Sequence, residues 1–445
     1  MTEKKISGFT ATNIVVANMI GTGVFTSLGF QVASIHSDVA LIALWIFGGV
    51  AALCGALCYA ELAAAIPRSG GEYRFLSRIF HPAIGFMAGW VSATVGFAAP
   101  IALAAMAFGN YLVALAPLGS PLLLSLGIVW LITIIHLAGV QTGAAFQNIS
   151  TIVKLALIFA FILVGFLLPE KQPLQLIPTG SDLATFFSGP FAVSMFYVMY
   201  TYSGWNAASY ITEEVRNPAK NVPLSLLIGT VFVAVLYVVI NFVFLLTTPK
   251  TAIAGQLQVG EIAGRAIFGA IGGKVASALI SLGLIASISA MAWIGSRITK
   301  AMADDLRNLR FFGRTSRQGI PYVALLLQAL IVSALIVTST FGAILVYIEF
   351  SLLLCSFLTV LGLIVLRFRE PNLTRPYRVW LYPITPLVFL LMTFFMMIFV
   401  LRDKPTESIL GLLTVFAGLI VYFFLRNTDS PRPEPADKDA LGSEH

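Results

Sequence analysis

Charge is scarce in this sequence. Only 11% of the residues are Asp, Glu, Lys or Arg, against about 25% in a soluble domain, while 58% are hydrophobic. That balance excludes a soluble globular chain and points to an integral membrane protein. Cysteine is scarce too. Cys54, Cys58 and Cys355 all sit in apolar runs, where packing is their expected role and no external disulfide is expected. His36, His81, His136 and His445 are scattered without a second ligand at metal-site spacing, so neither a metal nor a cofactor is expected. The chain also lacks a His-Glu-x-x-His pair, a Walker-type phosphate loop and a Gly-x-Ser-x-Gly elbow. An enzyme has little support.

What the sequence has in abundance is long apolar runs. About 20 apolar residues cross the roughly 30 Å hydrocarbon core as a helix. Twelve segments qualify: 9–34, 39–65, 83–114, 122–140, 146–168, 186–212, 223–247, 275–296, 320–340, 342–366, 382–401 and 408–425. Porin-type strands alternate in units of roughly ten residues, which these runs do not. The expected fold is an all-α bundle in the lipid bilayer. If both termini are cytoplasmic, twenty basic residues lie inside and six outside (Lys171, Lys250, Arg265, Lys274, Arg402 and Lys404), with Lys154 alone within a span. This is the positive-inside pattern. The +7 net charge therefore reports topology, not nucleic-acid binding. The short N-terminus, 1–8, has no signal-peptide character, and the polar, proline-rich tail 426–445 is expected to be cytoplasmic and disordered.

Two spans are interrupted. The first contains "IGTGVF" at Ile20–Phe25, and the sixth contains "YTYSGWNAAS" at Tyr200–Ser209. These spans begin two five-helix blocks, 9–168 and 186–366, with 382–425 left as two further helices. An odd number of helices per block inverts the second copy, and matched breaks in two halves mark a transport site near the midplane. Unpaired backbone groups cannot face lipid, so the breaks must line a cavity. The amides of Gly21, Thr22 and Gly23 can receive a carboxylate at the start of the following half-helix. Carbonyls near Met19 and Tyr200 can accept from an ammonium group. A pocket with both ends suits an α-amino acid. The rival reading is glycine-softened helix packing.

Lys154 is the other anomaly. A central lysine costs roughly 2.5–3.5 kcal/mol on insertion scales, so it is expected to face oxygen partners inside the bundle rather than snorkel. It can hold the carbonyls that would otherwise bind Na⁺, or deprotonate and couple transport to H⁺.

"IGTGVF", "YAELAAAIPRSGGEY" (Tyr59–Tyr73) and "YTYSGWNAASYITEEVRNPAKNVP" (Tyr200–Pro223) resemble the L-type amino acid transporter family of the amino acid–polyamine–organocation superfamily. The resemblance covers all twelve segments. It implies a LeuT-like fold with a 5+5 inverted repeat and discontinuous helices 1 and 6. It also implies sodium-independent amino acid transport, often by exchange. Gly21-Thr22-Gly23 matches the family's carboxylate-binding turn. The ammonium-binding carbonyls fall near Met19, Tyr200, Thr201 and Ser203, and Tyr200 matches the aromatic gate. Lys154 matches the lysine that replaces a sodium site, with Ser287 as its hydroxyl partner. Ser203 stands where many relatives carry glycine. The loop "APLGSP" lacks the cysteine by which animal relatives bond a heavy-chain subunit, so no such partner is expected.

Glu61, Glu213 and Glu214 are expected as inner-gate partners of Arg68 or Arg74, with solvated helix ends as the rival reading. Glu349 is either a proton-linked carboxylate or a paired structural acid near the outer mouth. Trp205 and Asn206 are expected to pack and to restart the helix. The favoured function is exchange of neutral L-amino acids, small ones such as Ala, Ser, Thr or Cys preferred. The alternatives are a proton-coupled carrier, which extends to cationic amino acids or polyamines, and a sensor or channel on the same scaffold.

Overall fold

The computed structural model describes residues 5–115, 119–256, 258–338 and 341–426. Lys4, residues 116–118 of the "APLGSP" loop and the tail beyond Arg426 lie outside them. Among the described residues there is no β-strand, only an isolated parallel bridge between Ile6 and Val215. Eight helices among the described residues are long and apolar enough to cross a membrane, from Asp38–Ala65 to Ser408–Arg426. A ninth candidate is the pair Gly180–Phe186 and Gly189–Glu214, bent by 63°.

Local sequence sets the helix ends. Ser37 and Ser188 accept hydrogen bonds from Ala40 N and Phe191 N as N-caps, and Pro82, Pro121 and Pro218 occupy first-turn positions. Proline is tolerated there because those amides have no intrahelical acceptor. The long helix Pro218–Thr247 lies along Asp38–Ala65, and Gly272–Asp305 lies along Ala98–Leu115. Between these scaffold helices sit the interrupted segments.

The first segment is helical over Gly8–Met19, bends, makes a 3₁₀ turn over Gly23–Phe25 and resumes over Ser27–Ser34. The sixth is helical over Gly189–Tyr202 and, after the break at 203–206, continues as 3₁₀ turns over Ala207–Glu214. Gly204 has φ +96°, a left-handed value that favours glycine. The Ile6 amide donates to Glu214 O at 2.8 Å, and the Arg216 amide to Ile6 O at 3.0 Å. The chain's start is thereby tied to the far end of the sixth segment.

Candidate functional site

The two breaks cross in contact. A Cβ on Gly23 would stand 2.5 Å from Thr201 Oγ1 and 3.0 Å from Thr201 Cα, and one on Gly204 would stand 2.5 Å from Asn18 Nδ2. Glycine at Gly23 and Gly204 is therefore what lets the backbones approach. Ser27 and Thr201 complete the crossing with hydroxyl oxygens 2.8 Å apart. Gly21 differs: a Cβ there would meet nothing within 4 Å. Its amide donates to Met19 O at 2.9 Å, while the opening amides of the following 3₁₀ turn have no intrahelical acceptor.

Ending a helix at Met19 orphans its last carbonyls, and three side chains take them up. Lys154 Nζ donates to Ile20 O at 2.5 Å and to Ala17 O at 3.3 Å. It also donates to Ser287 Oγ at 2.7 Å, and Ser287 in turn donates to Ile20 O at 2.5 Å. The ammonium is buried, so these oxygens are what offsets its lost hydration. Tyr237 is the third. Its hydroxyl lies 2.7 Å from Met19 O and 3.1 Å from Thr201 O, one carbonyl from each interrupted segment. Two of the carbonyls expected to face a ligand are thus engaged by the protein's own phenol.

Tyr200 is buried against Val95, Ala99, Leu103 and Ile348, with Thr22 and Glu349 near its hydroxyl. Beyond the breaks lies a chamber lined by Asn18, Ser203, Asn206, Glu72, Glu349 and Ser356 among others. Glu72 opens the short helix Glu72–Ile79. Its Oε1 accepts from Tyr59 at 2.5 Å, Ser356 at 3.0 Å and Asn206 at 3.4 Å. Burial nevertheless pushes this carboxyl up to about 7, because the low-dielectric surroundings disfavour its charged form.

Glu61 and Glu214 find other partners than the sequence implies, while Glu213 lies within electrostatic reach of Arg74. Glu61 accepts from Arg367 at 2.5 and 2.9 Å and from the Val379 amide at 2.7 Å, with Arg375 at 3.3 Å. Arg68 and Arg74 are not its partners. Arg74 pairs with Asp305. The Glu213 amide donates to Ser69 Oγ at 2.9 Å, and it is Glu214 that pairs with a basic residue, Arg297, at 2.6 Å. The reason is reach. Glu61 points at the end of the helix Phe341–Arg369 and the loop after it, elements remote in sequence from the segment that supplies Arg68 and Arg74. Of the two readings of Glu349, that of a paired structural acid is the one corrected. Glu349 lines the central chamber and has no ion pair among the described residues.

This geometry, with crossed breaks held by a buried ammonium, meets a clear relationship in sequence. A family model described as amino acid permease matches residues 6–424. The chain belongs to the amino acid permease family. It is 27% identical over 430 residues to the b(0,+)-type amino acid transporter 1 of Rattus norvegicus, covering 95% of this chain and 88% of the relative. The Asc-type amino acid transporter 1 of Mus musculus is 26% identical over 431 residues, at 95% and 81%. The large neutral amino acids transporter small subunit 2 of Mus musculus is 28% identical over 432 residues, again at 95% and 81%. These relatives are transporters, not enzymes. With its apolar helices, this family member is a multi-pass membrane protein.

Within this permease, Trp205 packs edge-on against Tyr59 and Phe389, while Asn206 reaches the Glu72 carboxylate. Sequence reasoning missed Tyr237 and Glu72. The tyrosine stands in an apolar run, "VLYVVINF", where a ring reads as packing. The only signal was Asn241 one turn later, a second polar group on the same face. Glu72 lies in a loop that reads as solvated.

Proposed function

We propose that this protein is a sodium-independent secondary transporter of neutral L-amino acids, preferring small ones such as Ala, Ser, Thr and Cys. It works as an exchanger by alternating access. In this reading the substrate carboxylate sits at the Gly21–Thr22–Gly23 turn, where the space over Gly21 is open. The substrate ammonium sits beside the Tyr200 and Ser203 end of the sixth segment, with Tyr200 as gate. Ser203, half-buried on the chamber wall, limits side-chain width. Lys154 and Ser287 act as the internal cation and its partner. Twelve spans in a LeuT-like 5+5 inverted repeat would carry the site. Both termini would be cytoplasmic in the plasma membrane, the inner membrane in a prokaryote, with no disulfide-linked heavy chain.

The observation that carries the proposal is the Lys154 ammonium on Ile20 O and Ala17 O. It occupies carbonyls of the broken helix that a bound sodium ion would otherwise need. Counterflow in proteoliposomes tests the reading. Labelled alanine should enter only when a neutral amino acid is present on the opposite side, at equal rates in sodium and choline media. A sodium requirement, or uptake into empty vesicles as fast as into loaded ones, would reject it.

A further inference from the structure

The chamber beyond the breaks is acidic, and among the described residues no basic side chain lines it. Glu349 and Glu72 are 2% and 1% exposed. The other titratable groups against it are the Tyr59, Tyr200 and Tyr210 hydroxyls and the Cys355 thiol. Glu349, Leu352, Leu353 and Ser356 share one stripe of their helix, and Ser356 donates to Glu72. Seven residues of helix rise about 10 Å, so the two carboxylates flank an elongated space.

Three buried side-chain atoms of that wall have no hydrogen-bond partner among the described residues: Glu349 Oε2, Glu72 Oε2 and Asn18 Oδ1. All are acceptors. Asn18 is an independent witness, since it is uncharged, comes from the first broken segment and is 4% exposed. A wall of acceptors carrying two acids calls for a group that only donates and is positively charged. An ammonium offers three N–H donors and a guanidinium five, and neither accepts.

We propose that Glu349, with Glu72 and Asn18, forms a cation subsite for the distal ammonium or guanidinium of a linear basic L-amino acid. The inference rests on the transport reading above and extends its substrate class. A substrate held by its α-carboxylate and α-ammonium at the two breaks directs its side chain past Ser203 into the chamber. A short neutral side chain stops before the acids. A linear basic one ends on them, and a broad aromatic one does not fit. Glu349 is the specificity-determining residue because no donor among the described residues holds its Oε2.

Competition against labelled alanine counterflow by the full-length protein in proteoliposomes tests this, with lysine, ornithine, arginine and norleucine as competitors. Norleucine matches lysine in length without the charge. Lysine is expected to compete at least about tenfold better than norleucine. Glu349→Gln should bring that ratio to about one, and Glu349→Asp should restore part of it. Ratios within one protein cancel changes in turnover. If Glu349→Gln does not fold, thermal stabilisation of the purified wild type by lysine over norleucine decides. Alanine exchange without competition by any basic amino acid overturns the subsite, as does an unchanged ratio in Glu349→Gln. Alanine uptake driven by a pH gradient with no cationic competition assigns Glu349 to a proton and overturns it too. Failure to move any amino acid instead brings down the transport reading, and the subsite with it.

Discussion

Lys154 Nζ and Ser287 Oγ lie 2.7 Å apart, and both donate to the same carbonyl, Ile20 O. One side chain comes from the helix Val140–Leu167 and the other from Gly272–Asp305, so the pair ties two scaffold helices to the break of the first segment. Lys154→Ala would leave Ile20 O and Ala17 O short of donors in a buried site, a loss of about 1–3 kcal/mol. Turnover should fall by about tenfold or more while the purified variant still folds, because the contact biases the equilibrium between conformations. Exchange rate beside size-exclusion behaviour checks this. Normal turnover would remove Lys154 from the mechanism.

Tyr237 makes a separable prediction. Tyr237→Phe keeps the ring packing on Trp45 and Tyr202, at 5.7 and 5.0 Å between centroids, and deletes only the hydroxyl that serves Met19 O and Thr201 O. The expected cost is about 0.5–1.5 kcal/mol, read as a roughly three- to tenfold weaker apparent affinity for alanine with thermal stability nearly kept. An unchanged affinity would mean that the two carbonyls find other donors.

Gly21 and Gly23 should respond differently to the same added methyl. At Gly23 the Cβ overlaps Thr201, whereas at Gly21 it enters open space. Gly23→Ala is expected to lower yield and melting temperature by forcing the breaks apart. Gly21→Ala should fold normally and lose alanine binding. A Gly21→Ala protein with wild-type affinity would move the carboxylate away from that turn.

Glu72 predicts a pH dependence of stability. Its carboxyl is raised from 4.5 to about 7 by burial, against hydrogen bonds from Tyr59, Ser356 and Asn206 that favour the ionised form. The folded state therefore prefers the proton. The stability this contributes is complete below about 4.5 and is lost as pH rises through 7. Melting temperatures of wild type and Glu72→Gln should differ by a constant amount in acid, with the variant gaining on the wild type from pH 5 to 8. A gap independent of pH would show that Glu72 does not titrate there.

The sequence by itself determined the solvent and the breaks. Apolar runs of helical length with so few charges can satisfy their backbone only as helices in lipid, and that constraint is local. Gly21, Gly23 and the Ser203-Gly204 pair weaken helices wherever they occur, so the interruptions were legible too. A lone buried lysine demanded oxygen partners, which made Lys154 visible. The tertiary structure decided which groups those partners are. Glu61 binds Arg367, 306 positions away, and Tyr237 spans carbonyls 218 and 36 positions from it. No periodicity encodes such pairings, because they depend on how helices cross and not on how each one forms. The acidic chamber arises in the same way. Glu72 comes from a short loop helix and Glu349 from a distant one, and only their packing around one cavity turns two isolated acids into a site.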